Sequence, residues 1–120
     1  FAALLDELTH AAIAAVDSGL HANAWTRAAA IDYLHAQMPI DDETAVVAVD
    51  RVLAEPARAL AAEIGAMRIR ELRRRAEEKL GSRFDLPAFH ATILEAGALP
   101  LDLLEQRVQR WIDATNAGTR

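Results

Sequence analysis

The chain has 120 residues, is 52% hydrophobic and 5% aromatic, lacks cysteine and carries a net charge of −5. That length suits one domain burying about two-thirds of its unfolded surface. The charge argues against a general nucleic-acid binder, and the missing thiols exclude disulfides, a cysteine nucleophile and a zinc ribbon.

The longest apolar runs are alanine-rich and interrupted by charge, so no segment reads as membrane-spanning, and no secretory leader is visible. A cytoplasmic location is the default expectation. Alanine and leucine dominate, with five Gly and four Pro, a balance that favours helices packed through small side chains. The fold class read from the sequence is all-α, with about six helices in an irregular bundle. Residues 1–115 read as a single helical domain or domain fragment, and 116–120 as a disordered tail.

Leu4, Leu5, Leu8, Ala12, Ala15 and Val16 recur at helical spacing, which predicts a first helix over about residues 1–18. The chain begins at Phe1 and is helical from there, so it is expected to be a piece of a larger protein. Ser18-Gly19 ends the first helix on this reading, and Leu20–Trp25 forms a loop. Thr26 caps a second helix striped by Ile31, Leu34 and Met38, which Pro39 stops. Asp41 caps a third through about Ala54, with Asp42 and Glu43 suiting its positive end. Val46, Val49 and Leu53 mark its inner face.

Pro56 opens the longest helix, to about Leu80. Leu60, Ile64 and Met67 form one stripe of it; Ile69, Leu72, Ala76 and Leu80 form another. Gly81 suits a residue of positive φ at the helix end. Asp85 caps the fifth helix, about 86–96, with Phe84 and Phe89 spaced as a hydrophobic staple. The sixth covers about 101–114, its apolar face drawn from Leu101, Leu104, Val108, Trp111 and Ile112.

The four histidines, at 10, 21, 35 and 90, are never three or four residues apart, so no two share a helix face as metal ligands. His21, in the expected loop, stands out as a donor or proton carrier able to reach a substrate. His90 reads as a partly buried packing residue. Arg68, Arg70, Arg73, Arg74 and Arg75 interleave with Glu71, Glu77 and Glu78, which reads as a solvated, salt-bridged helix face. Thr26–Val52 could be taken for a helix-turn-helix, but a second helix starting Asp41-Asp42-Glu43 would turn carboxylates toward phosphates. No catalytic residue and no metal ligand is assigned within the chain.

One family carries a similar pattern. Val16-Asp17-Ser18-Gly19-Leu20-His21, Trp25-Thr26-Arg27 and Ala30-Ile31-Asp32-Tyr33-Leu34 belong to it, followed by Asp50-Arg51, Pro56, Gly65 and Ile69-Arg70-Glu71-Leu72-Arg73. It closes with the run from Leu80 to His90 and with Gly97-Ala98-Leu99-Pro100-Leu101. This resembles the carboxy-terminal region of the bacterial domain-of-unknown-function family 885, over nearly all 120 residues. The resemblance implies a zincin-like protein with an architecture similar to carboxypeptidases of the Taq type, acting as a metal-dependent peptidase or amide hydrolase.

The family's zinc motif and third ligand lie upstream of the matched region. Zinc is therefore expected in an upstream segment or subunit of the same protein, with no cofactor in this chain. The resemblance makes this region the far wall of a substrate cleft. It assigns substrate contacts to Asp17, His21 and Trp25, which stand at the family's Asp-Thr-Gly-x-His loop and following Trp, and to Arg58. The chain also departs from the pattern. Val52, Pro56-Ala57-Arg58 and Ala62 stand where the family has Tyr, Pro-Gly-Gln and Tyr, and Ile13 stands at a family Arg. Val52 and Ala62 cannot polarise a carbonyl as Tyr hydroxyls can.

The function expected is therefore the helical carboxy-terminal part of a metallopeptidase-like protein, inactive alone. The alternative is a non-catalytic interaction module derived from that family, with a partner on the apolar surface the rest of the protein would cover. Association into a homo-oligomer is compatible with both; nucleic acid and membrane are not expected partners.

Overall fold

The computed structural model describes residues 2–118, with the side chain of Ala2 outside that description. It contains six α-helices and, among the described residues, no strand. They are α1 (Ala2–Ala22), α2 (Arg27–Gln37), α3 (Asp42–Ala54), α4 (Arg58–Leu80), α5 (Leu86–Leu94) and α6 (Leu101–Ala117), with a 3₁₀ turn at Gly81–Arg83. No helix is long and apolar enough to cross a membrane among these residues. The all-α reading holds. Contacts group the described residues into two compact units, divided between Ile64 and Gly65, and α4 contributes to both.

In the first unit α1, α2 and α3 pack against one another. Their shared core is Ala12, Val16, Ala30, Leu34, Met38, Ala45, Val49 and Val52. Small residues at 12, 30 and 45 allow close helix approach, and each leucine or valine beside them fills the space left over. Both expected caps of this unit form: Thr26 Oγ1 accepts the Ala29 amide at 3.1 Å, and Asp41 Oδ1 accepts that of Thr44 at 2.7 Å. Each satisfies a backbone donor that the first helical turn leaves open.

Several boundaries differ from the sequence reading. The first helix does not stop at Gly19 but continues to Ala22, so His21 lies on its last turn rather than in a loop. Gly19 is kept helical by a tertiary contact: the Trp25 indole lies against it so closely that a Cβ would overlap the ring. The Gly19 carbonyl also accepts the amides of Asn23 and Trp25, which closes the helix end. Leu4, Leu5 and Leu8 are not part of the core; they are exposed, Leu4 by 70%. In α3 the inner face turns toward Ala45 and Val52, leaving Leu53 exposed. Pro56 sits in the turn before α4, two residues ahead of its start.

The second unit is built on Leu72, Ala76, Leu80, Phe89, Leu104, Val108 and Ile112. The second stripe expected of α4 supplies its part, whereas Ile64 and Met67 of the first stripe are exposed. Gly81 has φ 54°, as its place at a helix end requires, and it opens a 3₁₀ turn. Asp85 accepts the Ala88 amide at 3.3 Å, and the Phe84 and Phe89 rings meet at 6.1 Å, so cap and staple both form. Trp111 of α6 closes against both rings.

Arg107 of α6 donates to the Thr92 carbonyl at 2.7 Å, satisfying an open acceptor near the end of α5. α5 ends at Leu94, short of the expected 96, because Gly97 turns the chain with φ 67°. α6 runs through Asn116 and Ala117, which the sequence reading gave to the tail; residues 119–120 lie outside the described ones. His90 is exposed rather than partly buried, its helix turning Phe89 inward instead.

Candidate functional site

The arginine run of α4 forms ion pairs, as its glutamate spacing suggests. Arg68 pairs with Glu71 and Glu105 at 3.0 and 3.1 Å, and Arg75 reaches Glu105 at 2.7 Å. Arg73–Glu77 and Arg74–Glu78 pair along the same helix. Arg68 and Arg75 tie α4 to α6 through Glu105, and the pairing of these side chains leaves little for an outside anion.

The first unit holds a different kind of feature. Asp17, near the end of α1, is 2% exposed. Its Oδ1 accepts the Ala57 amide at 2.9 Å, and Oδ2 accepts that of Leu60 at 3.2 Å. Those donors lie in the turn before α4 and in its first turn, where no intrahelical acceptor exists. α4 therefore takes its N-terminal cap from a side chain forty residues earlier. Burial pushes the Asp17 carboxyl up, but the Ala57 and Leu60 amides and the neighbouring His21 outweigh it, and its pKa is lowered.

His21 Nδ1 lies 3.2 Å from Asp17 Oδ1 and 3.1 Å from the Asp17 carbonyl, with its side chain 30% exposed. Trp25 stands over Gly19 and meets the Tyr33 ring at 5.1 Å. The turn reaches Asp17 only because Ala57 adopts φ 66°, a left-handed conformation costly for a residue with a Cβ.

Immediately after that turn, Arg58 enters a groove of about 640 Å³. Ile13 of α1, Val47, Ala48 and Val52 of α3, and Ala59 and Ala62 of α4 make its apolar lining; His10, Glu43, Thr44, Arg51, Glu55 and Arg58 supply the polar groups. Arg58 pairs with Glu55 at 2.6 Å and is exposed.

The four residues expected to contact substrate are thus divided. Arg58 lines the groove. Asp17, His21 and Trp25 are not among its lining residues; Asp17 and His21 are brought together beneath the turn that leads to Arg58. Ile13, Val52 and Ala62, noted in the sequence only as departures from a family pattern, converge on the groove with Arg58.

Apart from Val52, the lining residues of α3 carry no site assignment in the sequence. Their signal was the i, i+4, i+8 row Glu43, Val47 and Arg51, which places two charges and an apolar side chain on one helix face. The groove offers hydrogen-bonding and charge, with an apolar floor for a ligand's carbon skeleton. Among the described residues no group of three or more His, Cys, Asp or Glu is placed to hold a metal ion.

Comparison with curated proteins returns no match. Among solved structures, the chain is similar to a putative lipoprotein from Colwellia psychrerythraea, with a TM-score of 0.88 and 38% identity over 91% of this chain. The match covers 19% of that protein, so the chain spans about a fifth of its length. The sequence profile of the bacterial proteins of unknown function called DUF885 matches residues 1–108. With nine-tenths of its length inside that profile, this chain belongs to the DUF885 family.

Proposed function

We propose that the chain is the helical carboxy-terminal part of a zincin-like metallopeptidase or amide hydrolase, supplying one wall of its substrate cleft. The observation that carries this reading is the convergence of Ile13, Val52, Arg58 and Ala62 on a single groove. These are the positions at which the family resemblance expects Arg, Tyr, Gln and Tyr, scattered over fifty residues of sequence. Four such positions meet in one concavity when they serve one surface.

In this reading Arg58 contacts substrate. Asp17, with His21 beside it, holds the turn that presents it, since its two oxygens accept one amide of that turn and one of the first turn of α4, while Trp25 packs on Gly19. The zinc, its ligands and the general base belong to an upstream segment or subunit of the same protein. Without them the chain has neither an activated water nor an oxyanion donor of the Tyr type, and it is inactive alone. The apolar replacements at 13, 52 and 62 suit a substrate with aliphatic side chains.

The test is to express the longest reading frame that contains this chain beside the 120-residue chain itself. Stoichiometric zinc and chelator-sensitive peptide hydrolysis are expected in the first and neither in the second. A longer protein with no zinc and no hydrolysis of peptides or amides overturns the reading.

The exposed leucines of α1 favour a second reading. Leu4, Leu5 and Leu8 form an apolar ridge on the surface, and such ridges mark contacts. A non-catalytic module that presses this ridge on a partner would keep the fold and lose the hydrolase. Location separates less directly: the cytoplasmic expectation competes with envelope attachment, the relative being described as a putative lipoprotein. Fractionation of the cell decides between them.

A further inference from the structure

Two charged side chains of the groove, Glu43 and Arg51, enter no ion pair among the described residues, and they have opposite signs. Arg58 there is matched by Glu55 at 2.6 Å, and His10 Nδ1 lies 3.6 Å from the Asp6 carboxylate. Glu43 and Arg51 lie eight residues apart on α3, a separation of about 12 Å along the helix axis. Val47 lies midway between them on the same row and is 61% exposed. The groove thus offers an anion at one end, a cation at the other and an aliphatic strip between.

A ligand complementary to that strip carries an ammonium and a carboxylate about 10–14 Å apart with an apolar group in the middle. An extended peptide spans about 3.3–3.6 Å per residue, so three or four residues meet the requirement and two do not. Arg51 suits the carboxylate end, because a guanidinium can grip both oxygens at once.

We propose that the groove binds a zwitterionic peptide of three or four residues, with its amino terminus at Glu43, its carboxylate at Arg51 and an aliphatic side chain over Val47. This rests on the groove being the substrate-facing surface, but not on hydrolysis. The peptide selects itself by having both ends free at the right separation, so longer chains and blocked ends bind worse.

The test is calorimetric titration of the 120-residue chain with Ala-Leu-Ala, with its N-acetylated and C-amidated forms, and with the dipeptide Ala-Leu. Saturable binding of the free tripeptide is expected, weakened about tenfold by blocking either end and similarly by shortening, as the loss of one charge-assisted contact predicts. In Glu43→Gln the effect of acetylation should vanish while that of amidation persists, and in Arg51→Met the reverse. Both residues are exposed, so circular dichroism should be unchanged in either variant. No saturable binding, equal binding of blocked and free tripeptide, or end effects that persist in the variants would overturn the proposal. End-dependent binding without hydrolysis by the longer protein leaves this inference standing and removes the hydrolase reading. Hydrolysis without end-dependent binding does the opposite.

Discussion

The Asp17 carboxylate of α1 accepts the Ala57 amide at 2.9 Å, across forty residues of chain. Through that bond the end of one helix fixes the start of another, and Arg58 follows directly at the edge of the groove. Asp17→Ala leaves two amide donors without a partner and should lower stability by about 2–3 kcal/mol. Asp17→Asn keeps one acceptor and should lose about 1–2 kcal/mol, both read from thermal unfolding of the chain.

The same pair sets a pH dependence. The Asp17 carboxyl has a lowered pKa in the folded chain, so its contribution is complete above the unfolded value of about 3.9. It is lost as the pH falls through the folded pKa. The stability gap between the native chain and Asp17→Asn should therefore shrink as the pH falls below about 3.9, the unfolded value. A gap that widened in acid would assign the carboxylate the wrong role.

Ala57 adopts φ 66° to make this turn, where a Cβ is strained. Ala57→Gly removes the strain at the cost of a more flexible unfolded chain. The net effect expected is a gain of about 0.5–1 kcal/mol. Denaturant unfolding measures it, with a higher midpoint and an unchanged slope.

Gly19 and Trp25 form the second constraint on the same region. A methyl at Gly19 would overlap the indole, so Gly19→Ala should displace Trp25 and lower stability by about 1–3 kcal/mol. Indole fluorescence in a Trp111→Phe background isolates Trp25 and should shift to the red. In that assay an unshifted spectrum would mean the indole does not rest on Gly19.

In the second unit, neighbouring residues should behave oppositely. Phe89 is 1% exposed in the core, and Phe89→Ala should lower stability by about 3–5 kcal/mol. His90 is exposed, and His90→Ala should change it by about 0.5 kcal/mol or less.

Much of this fold is written locally. Thr26, Asp41 and Asp85 announce three helix starts because a cap acts within three residues of itself. Phe84 and Phe89 announce their staple for the same reason. What is not local was not legible. Gly19 reads as a helix end until Trp25 is seen lying on it, and that contact displaced His21 from loop to helix.

The Asp17 cap has no sequence signature, since its donors lie forty residues away. Leu4, Leu5 and Leu8 match a core stripe by spacing, yet nothing in the first unit lies over them. In the groove, Arg58 was marked by the family pattern alone. Glu43 reads as a first-turn acid suited to the helix dipole, which hides its place on the groove in one row with Arg51.

If the groove faces substrate in a longer hydrolase, filling it should slow hydrolysis. The most direct measurement is kcat/KM for peptide hydrolysis by that longer protein carrying Ala62→Trp, with zinc content determined in the same preparation. Ala62 is exposed and lines the groove, so an indole there fills the concavity without entering the core. A fall of about tenfold or more with zinc unchanged is expected. Undiminished kcat/KM with the groove filled, or no hydrolysis by the unaltered protein, would contradict it.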